Sequence, residues 1–198
     1  MFVAWQLWGT GIYTQQQQQR LDEHFSELPR FVAHADTPPG PPSSFDPKPG
    51  DPVFKLKIPA IDLNGDRGYL VVEGVGDEQL AMGPGHYPSC GVAFHLPLCT
   101  DFTEVWPGQE GRVIVSGHRT THLAPFLHTD QLENGDELIV VTRWGTFTYV
   151  VYDQRSVDDA DTSIVRRVPG VHELVLTTCD PPGSASRRLI TFARLSAS

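Results

Sequence analysis

Glu173-Leu174-Val175-Leu176-Thr177-Thr178-Cys179-Asp180-Pro181-Pro182-Gly183 is the stretch that decides how this chain folds. From Leu174 to Thr178 every residue is apolar or β-branched, which is the composition of a buried strand. The strand ends on a thiol, and Pro181, Pro182 and Gly183 stop it with a loop. Outward from it the same pattern repeats. Residues 53–58 alternate apolar and polar, as a half-buried strand does. Residues 69–73, 112–116 and 189–193 are further short apolar runs. Residues 137–142 and 146–151 flank Trp144-Gly145 and predict a hairpin. Residues 77–82 predict a short helix, capped by Asp77 and stopped by Gly83-Pro84. About eight short strands with turn signals between them predict a mainly β domain, a closed barrel or a sandwich.

Composition agrees. Among 198 residues, 18 Gly and 17 Pro supply too much turn chemistry for a helical bundle. The formal charge of −9 argues against a nucleic-acid partner, which calls for a basic surface. Three parts are expected: an N-terminal helical segment over 1–35, a Pro-rich linker over 36–52 and a catalytic domain over 53–198. Residues 14–35 carry Leu21, Phe25 and Leu28 at helical spacing, with the glutamines 15–19 as a solvated face. Residues 1–13 are apolar and aromatic and lack the basic start of a signal peptide. They read either as the end of a truncated membrane anchor or as a helix packed on the domain. The linker prolines favour an extended spacer that stays out of the core and holds the domain off a surface.

Cys179 is the first candidate for chemistry, because a strand end before a loop opens onto a cleft. A buried structural cysteine is the alternative. A nucleophilic thiol needs a base or a cation, since few thiols are ionised at neutral pH. His118, just past the strand 112–116, is the best placed histidine, and Gly117 lets the backbone turn there. His122, four residues on, could share a helical face with it, but no metal-binding motif accompanies the pair. Arg187-Arg188 opens the last strand, and alternation lets only one of them face a site with Cys179. A guanidinium there can hold a thiolate or a developing oxyanion.

Ser-Gly-His118-Arg-Thr-Thr-His-Leu-Ala-Pro-Phe, Val-Leu-Thr-Thr-Cys179 and Arg188-Leu-Ile together resemble the His, Cys and Arg motifs of sortases, in the same order and separated by 61 and 9 residues. Val71-Val72-Glu73-Gly74-Val75-Gly76, Gly83-Pro84-Gly85-His86-Tyr87-Pro88 and Gly145-Thr146-Phe147-Thr148-Tyr149 are similar to the class E sortases of actinobacteria. The resemblance implies an eight-stranded closed β-barrel, here with short helices and preceded by an N-terminal helix and the Pro-rich linker. It implies a membrane-anchored, extracellular cysteine transpeptidase. No acidic cluster with calcium-loop spacing occurs in the sequence, so neither a metal nor a cofactor is expected. Such an enzyme cuts a Leu-Ala-x-Thr-Gly-like sorting signal after Thr and passes the protein to an amine of the cell-wall precursor, lipid II. By the same resemblance Cys179 is the nucleophile, His118 the acid and base, and Arg188 the oxyanion and substrate group. Thr178 is then expected beside the substrate backbone.

Three departures stand out. Val175 replaces a Thr, His122 replaces the Tyr usual in class E and could alter substrate preference, and residues 89–106 form an insertion. The insertion carries Cys90 and Cys99. Outside the cell a disulfide between them is the natural expectation, with free thiols, or zinc held together with His86 and His95, as alternatives. Alternative functions are a pilin-polymerising sortase and a non-enzymatic surface barrel that only binds a partner. L,D-transpeptidases and NlpC/P60-like peptidases place a Cys before its His or use Ser-His-Gly-Cys, and neither order occurs here.

Overall fold

Alternation along one strand divides the domain into an inside and an outside. In the computed structural model, β7 (His172–Asp180) puts Leu174 and Leu176 into one buried cluster and Val175, between them, into another. The first cluster fills the barrel interior with Phe54, Leu56, Val113, Val115, Leu138 and Val140. The second lies on the outer face, where Val175, Ile190 and Phe192 are covered by Ile164. The structure describes residues 2–31, 40–90, 99–100, 104–166 and 168–196, with backbone only for 2–9.

The other strands are β1 (Pro52–Lys57), β2 (Tyr69–Glu73), β3 (Gly85–His86), β4 (Gly111–Ser116), β5 (Glu137–Val141), β6 (Thr146–Asp158) and β8 (Arg187–Leu195). They close into a barrel in the order β1-β2-β3-β4-β7-β8-β6-β5, and β5 pairs back onto β1. The β2–β3 and β4–β7 pairs are parallel, and the other pairs are antiparallel. The expected eight-stranded closed barrel is therefore the architecture. The turn Thr142–Gly145 joins β5 to β6 as a hairpin, with Thr142 N–H on the Gly145 carbonyl at 2.9 Å. Helix α2 (Asp77–Met82) spans the expected residues, but Gly76 is its cap and Asp77 lies inside its first turn.

The N-terminal third differs from its sequence reading. Helix α1 (Phe2–Glu27) starts earlier and ends sooner, because Leu28 precedes Pro29 and a pre-proline residue disfavours the helical region. The helix lies directly on the barrel. Leu21 and Phe25 pack against Leu70 and Val72. Gln18 is not a solvated residue: its amide donates to the Leu70 and Met82 carbonyls at 3.0 Å each and accepts the Leu70 N–H at 2.8 Å. Thr14 adds a bond to the Ala81 carbonyl at 2.8 Å. The proline segment also departs from a free spacer. Residues 32–39 lie outside the described residues, but Phe45 wedges edge-on against Trp106 and Trp144, at 5.0 and 5.3 Å between ring centres. Burying an aromatic ring outweighs the extended preference of its proline neighbours.

Gln18→Ala removes three hydrogen bonds and takes the partner from the Leu70 and Met82 carbonyls and the Leu70 N–H at the seam. We expect denaturant unfolding to show a loss of about 2–3 kcal/mol. The exposed Gln16→Ala should stay within about 0.5 kcal/mol of the parent.

Candidate active site

Cys179 and Arg188 are direct cross-strand partners in the β7–β8 ladder. Opposite residues in an antiparallel pair project to the same face, so both leave the barrel on its outer side, in phase with Val175 and Phe192. The neighbouring pair, Asp180 and Arg187, has the opposite phase. Arg187 is spent on β6, where its Nε donates to Ser156 Oγ at 2.8 Å and its Nη2 to the Ser156 carbonyl at 2.7 Å. Arg188 Nη1 donates to the Ala185 and Arg187 carbonyls at 2.8 and 3.0 Å. Its charge also reaches Tyr87, whose hydroxyl burial pushes up and Arg188 pulls back down.

His118 comes from the other side of β7. Strands β4 and β7 run parallel, and their last pair is Ser116 with Thr177. Beyond it Gly117 N–H reaches the Thr177 carbonyl at 3.1 Å, and Thr178 Oγ1 donates to the Gly117 carbonyl at 2.7 Å. His118 thus leaves β4 where Cys179 leaves β7. Thr178 is buried, in interior phase, and holds the β4 end. Gly117 is needed for room, since a Cβ there would sit 2.6 Å from the fully buried Phe126 ring. That close approach, not the freedom to turn expected of it, accounts for the glycine, whose φ is not positive.

The segment after His118 is a series of turns and not a helix. His122, Leu123 and Ala124 all have positive φ, at 52°, 63° and 45°. Three such residues in a row are costly for side chains with a Cβ. The run brings the His122 ring flat onto His118, with ring centres 4.5 Å apart and planes 23° from parallel. Nδ1 of His122 is buried without a partner among the described residues. Burial, and then the neighbouring His122 charge, hold the His118 imidazole below the ordinary histidine range, while Asp77 opposes them. Burial also lowers His122. Cys179 is a half-buried free thiol. The site therefore holds a thiol, a histidine biased toward its neutral form and a guanidinium on three adjacent strand ends.

Arg119 is a participant that sequence reasoning passed over, although it stands next to His118. The residue is 3% exposed, and its Nη1 donates to the Cys179 carbonyl at 3.1 Å and to Asp180 Oδ1 at 2.6 Å. Nη2 faces Asp130 at 3.2 Å. A hydrogen bond from Ser156, then the pairing with Arg119, holds the Asp180 carboxyl below its usual range.

Cys90 and Cys99 are joined in a disulfide, with Cα atoms 4.9 Å apart. The zinc alternative fails at His86, whose Nδ1 meets Glu73 at 2.9 Å and whose Nε2 meets the Val105 carbonyl at 3.1 Å. Both ring nitrogens are taken, and His95 lies outside the described residues. The insertion is closed at its base by the Ser89–Thr100 bridge and by Glu104 N–H on Ser89 Oγ at 2.8 Å.

A family model described as the sortase domain matches residues 56–196. The chain is 33% identical to Sortase D of Bacillus subtilis over 155 residues, covering 77% of this chain and 68% of that protein. It is 27% identical over 208 residues to Sortase SrtE1 of Streptomyces coelicolor, covering 98% of this chain and spanning 52% of that relative. Among solved structures, sortase E from Streptomyces avermitilis superposes with a TM-score of 0.60 at 30% identity, over 76% of this chain and 91% of that one. A Clostridium perfringens Sortase D5 transpeptidase gives 0.67 over 93% of this chain and 99% of that one, and at 19% identity it speaks for the fold alone.

The stack predicts a titration. By NMR, His118 should titrate below the ordinary value of about 6.5, in line with its burial and the His122 charge beside it. His122→Ala removes that positive neighbour and should move the His118 midpoint upward, with burial still keeping it below the ordinary value. An unchanged or lower midpoint would contradict the contact.

Proposed function

This chain belongs to the sortase family, whose members are transpeptidases, and on that premise we propose that Cys179, His118 and Arg188 carry out acyl transfer. The observation that carries the proposal is the pairing of Cys179 with Arg188 on one face, at the strand end beside which β4 delivers His118. In the first half-reaction the Cys179 thiolate attacks the carbonyl carbon of the Thr–Gly bond of a sorting signal. The carbonyl oxygen becomes an oxyanion, which the Arg188 guanidinium stabilises and orients. The C–N bond breaks as the His118 imidazolium gives its proton to the departing amine, leaving a thioester on Cys179. In the second half, neutral His118 takes a proton from an incoming amine, which attacks the thioester and frees the thiol. Because burial favours neutral His118, the imidazolium that must protonate the departing amine is the disfavoured form at neutral pH, and turnover is slow.

The substrate is a Leu-Ala-x-Thr-Gly-like signal, and the acceptor is an amine of the cell-wall precursor. Support comes from the class E-like motifs 83–88 and 117–121. Relatives named for both D and E classes align with this chain. His122 borders the substrate path, stacked on His118, whereas Thr178, expected beside the substrate backbone, is buried in interior phase and acts on the site only through the Gly117 main chain that it holds. The apolar residues 1–13 attach the enzyme to the outer face of the cell membrane, with the domain 53–198 outside. Among the described residues no helix is long and apolar enough to cross a membrane, so attachment depends on the uncharged start of α1, where Ile12 and Tyr13 stay exposed.

Intact-mass measurement with a Leu-Ala-x-Thr-Gly peptide tests the proposal. The parent should gain a thioacyl adduct that disappears when an amine is added, and Cys179→Ala should gain none. Arg188→Ala should slow adduct formation by about 100-fold or more. Arg187→Ala, which loses the Ser156 hydrogen bonds and a charge beside Asp180, should stay within about threefold. The reverse order for the two arginines would contradict the assignment, and a folded parent that never acylates would favour a binding module.

A further inference from the structure

Arg119 is the residue after His118, and its guanidinium holds the main chain of Cys179. The ladder between β4 and β7 ends at Ser116 and Thr177, and only the Gly117 bonds extend it. The fork from Arg119 to the Cys179 carbonyl and the Asp180 carboxylate is the last strut between the two strand ends. Asp130, in the turn after Phe126, steadies it from the far side. Two carboxylates face this single guanidinium, so little net positive charge is left for a thiolate. What Nη1 supplies is geometry: its two N–H groups lie in the plane of the rigid guanidinium, which Asp130 holds through Nη2, and fix both distance and orientation. Arg119 and His118 are covalent neighbours, so any slip of the Cys179 main chain against Arg119 changes the thiol–imidazole separation directly.

We propose that Arg119 is a positioning residue, which sets the Cys179 thiol against the His118 imidazole by clamping the end of β7 to the end of β4. The proposal rests on the reading of Cys179 and His118 as the reacting pair.

A short bifunctional alkylating agent, 1,3-dibromoacetone, tests it without any substrate. One carbon alkylates the Cys179 sulfur with loss of bromide. The second carbon bridges to a His118 ring nitrogen, losing bromide and a proton, only if the two groups lie within its span. Peptide mapping by mass spectrometry of the full chain reads the bridged and the singly alkylated species. In the parent the Cys179–His118 bridge should dominate. In Arg119→Ala the first alkylation should persist, while the bridged fraction falls about tenfold or more and kcat for acyl transfer falls similarly, with KM within about twofold. Arg119→Lys, whose single ammonium cannot meet Asp180 and Asp130 from two nitrogens of one plane, should resemble it. Asp180→Ala is the milder variant, because Asp180 is partly exposed and the carbonyl contact of Arg119 survives. Its bridged fraction should fall by about threefold. Thermal melts identify which variants fold. A parent-like bridged fraction in any folded variant overturns the proposal. A parent that alkylates at Cys179 but never bridges defeats the pairing itself, and with it both the reaction and the role of Arg119.

Discussion

The site depends on a hydrogen-bond register three strands wide. Strand β7 pairs parallel with β4 on one side and antiparallel with β8 on the other. A slip of one residue in β8 would turn Arg188 to the opposite face and bring Arg187 into its place. A slip in β4 would move His118 along the barrel away from Cys179. The register is held by burial on both faces, since Glu173 to Thr178 are all buried. Leu174 and Leu176 lock the inside, while Val175 with Ile190 and Phe192 locks the outside. A single-residue slip would exchange these two sets against differently shaped surroundings. The packing that stabilises the barrel therefore also aligns the reactive groups.

Once aligned, those groups are tuned by their surroundings. His118 is half-buried and stacked on a second imidazole, and both effects favour its neutral form. A neutral imidazole suits proton removal from an incoming amine better than proton donation to a leaving one. The backbone strain at residues 122–124 keeps the second ring in place. Strain concentrated beside a reactive residue, and absent from the strands that carry it, is the pattern expected where geometry serves chemistry.

Much of this was legible in the chain and some was not, for identifiable reasons. The strand ending at Cys179 declares itself by five consecutive apolar or β-branched residues and a proline stop. Strand β3 is two residues long and gives no periodic signal. Strand β6 runs 13 residues, but its irregular register between Val151 and Asp153 and its polar second half hide everything after Val151. Gln18 reads as one glutamine among five, because its partners lie 52 and 64 positions away. Phe45 disappears among prolines for the same reason: the tryptophans that bury it are remote in sequence. At the site, Cys179, His118 and Arg188 stand out by residue type and by their place at strand ends. The stacking of His122 depends on backbone angles that Leu123 and Ala124 rarely adopt, so composition cannot announce it. Arg119 lay in plain view beside His118, and only its reach across to Cys179 gives it a role.

The most direct test of the account is a crystal structure of the chain disulfide-linked through Cys179 to a Leu-Ala-x-Thr peptide whose terminal carboxyl is replaced by a thiol-bearing carbon. The account predicts a peptide on the outer face of β7 and β8, between Tyr87 and Arg188. The Arg188 guanidinium should have turned from the Ala185 carbonyl to the peptide's terminal oxygen-equivalent position, and the His118 ring should stand across the sulfur from it. A peptide bound away from that face, or an Arg188 still held by the Ala185 and Arg187 carbonyls with Arg187 reaching the peptide instead, would contradict it.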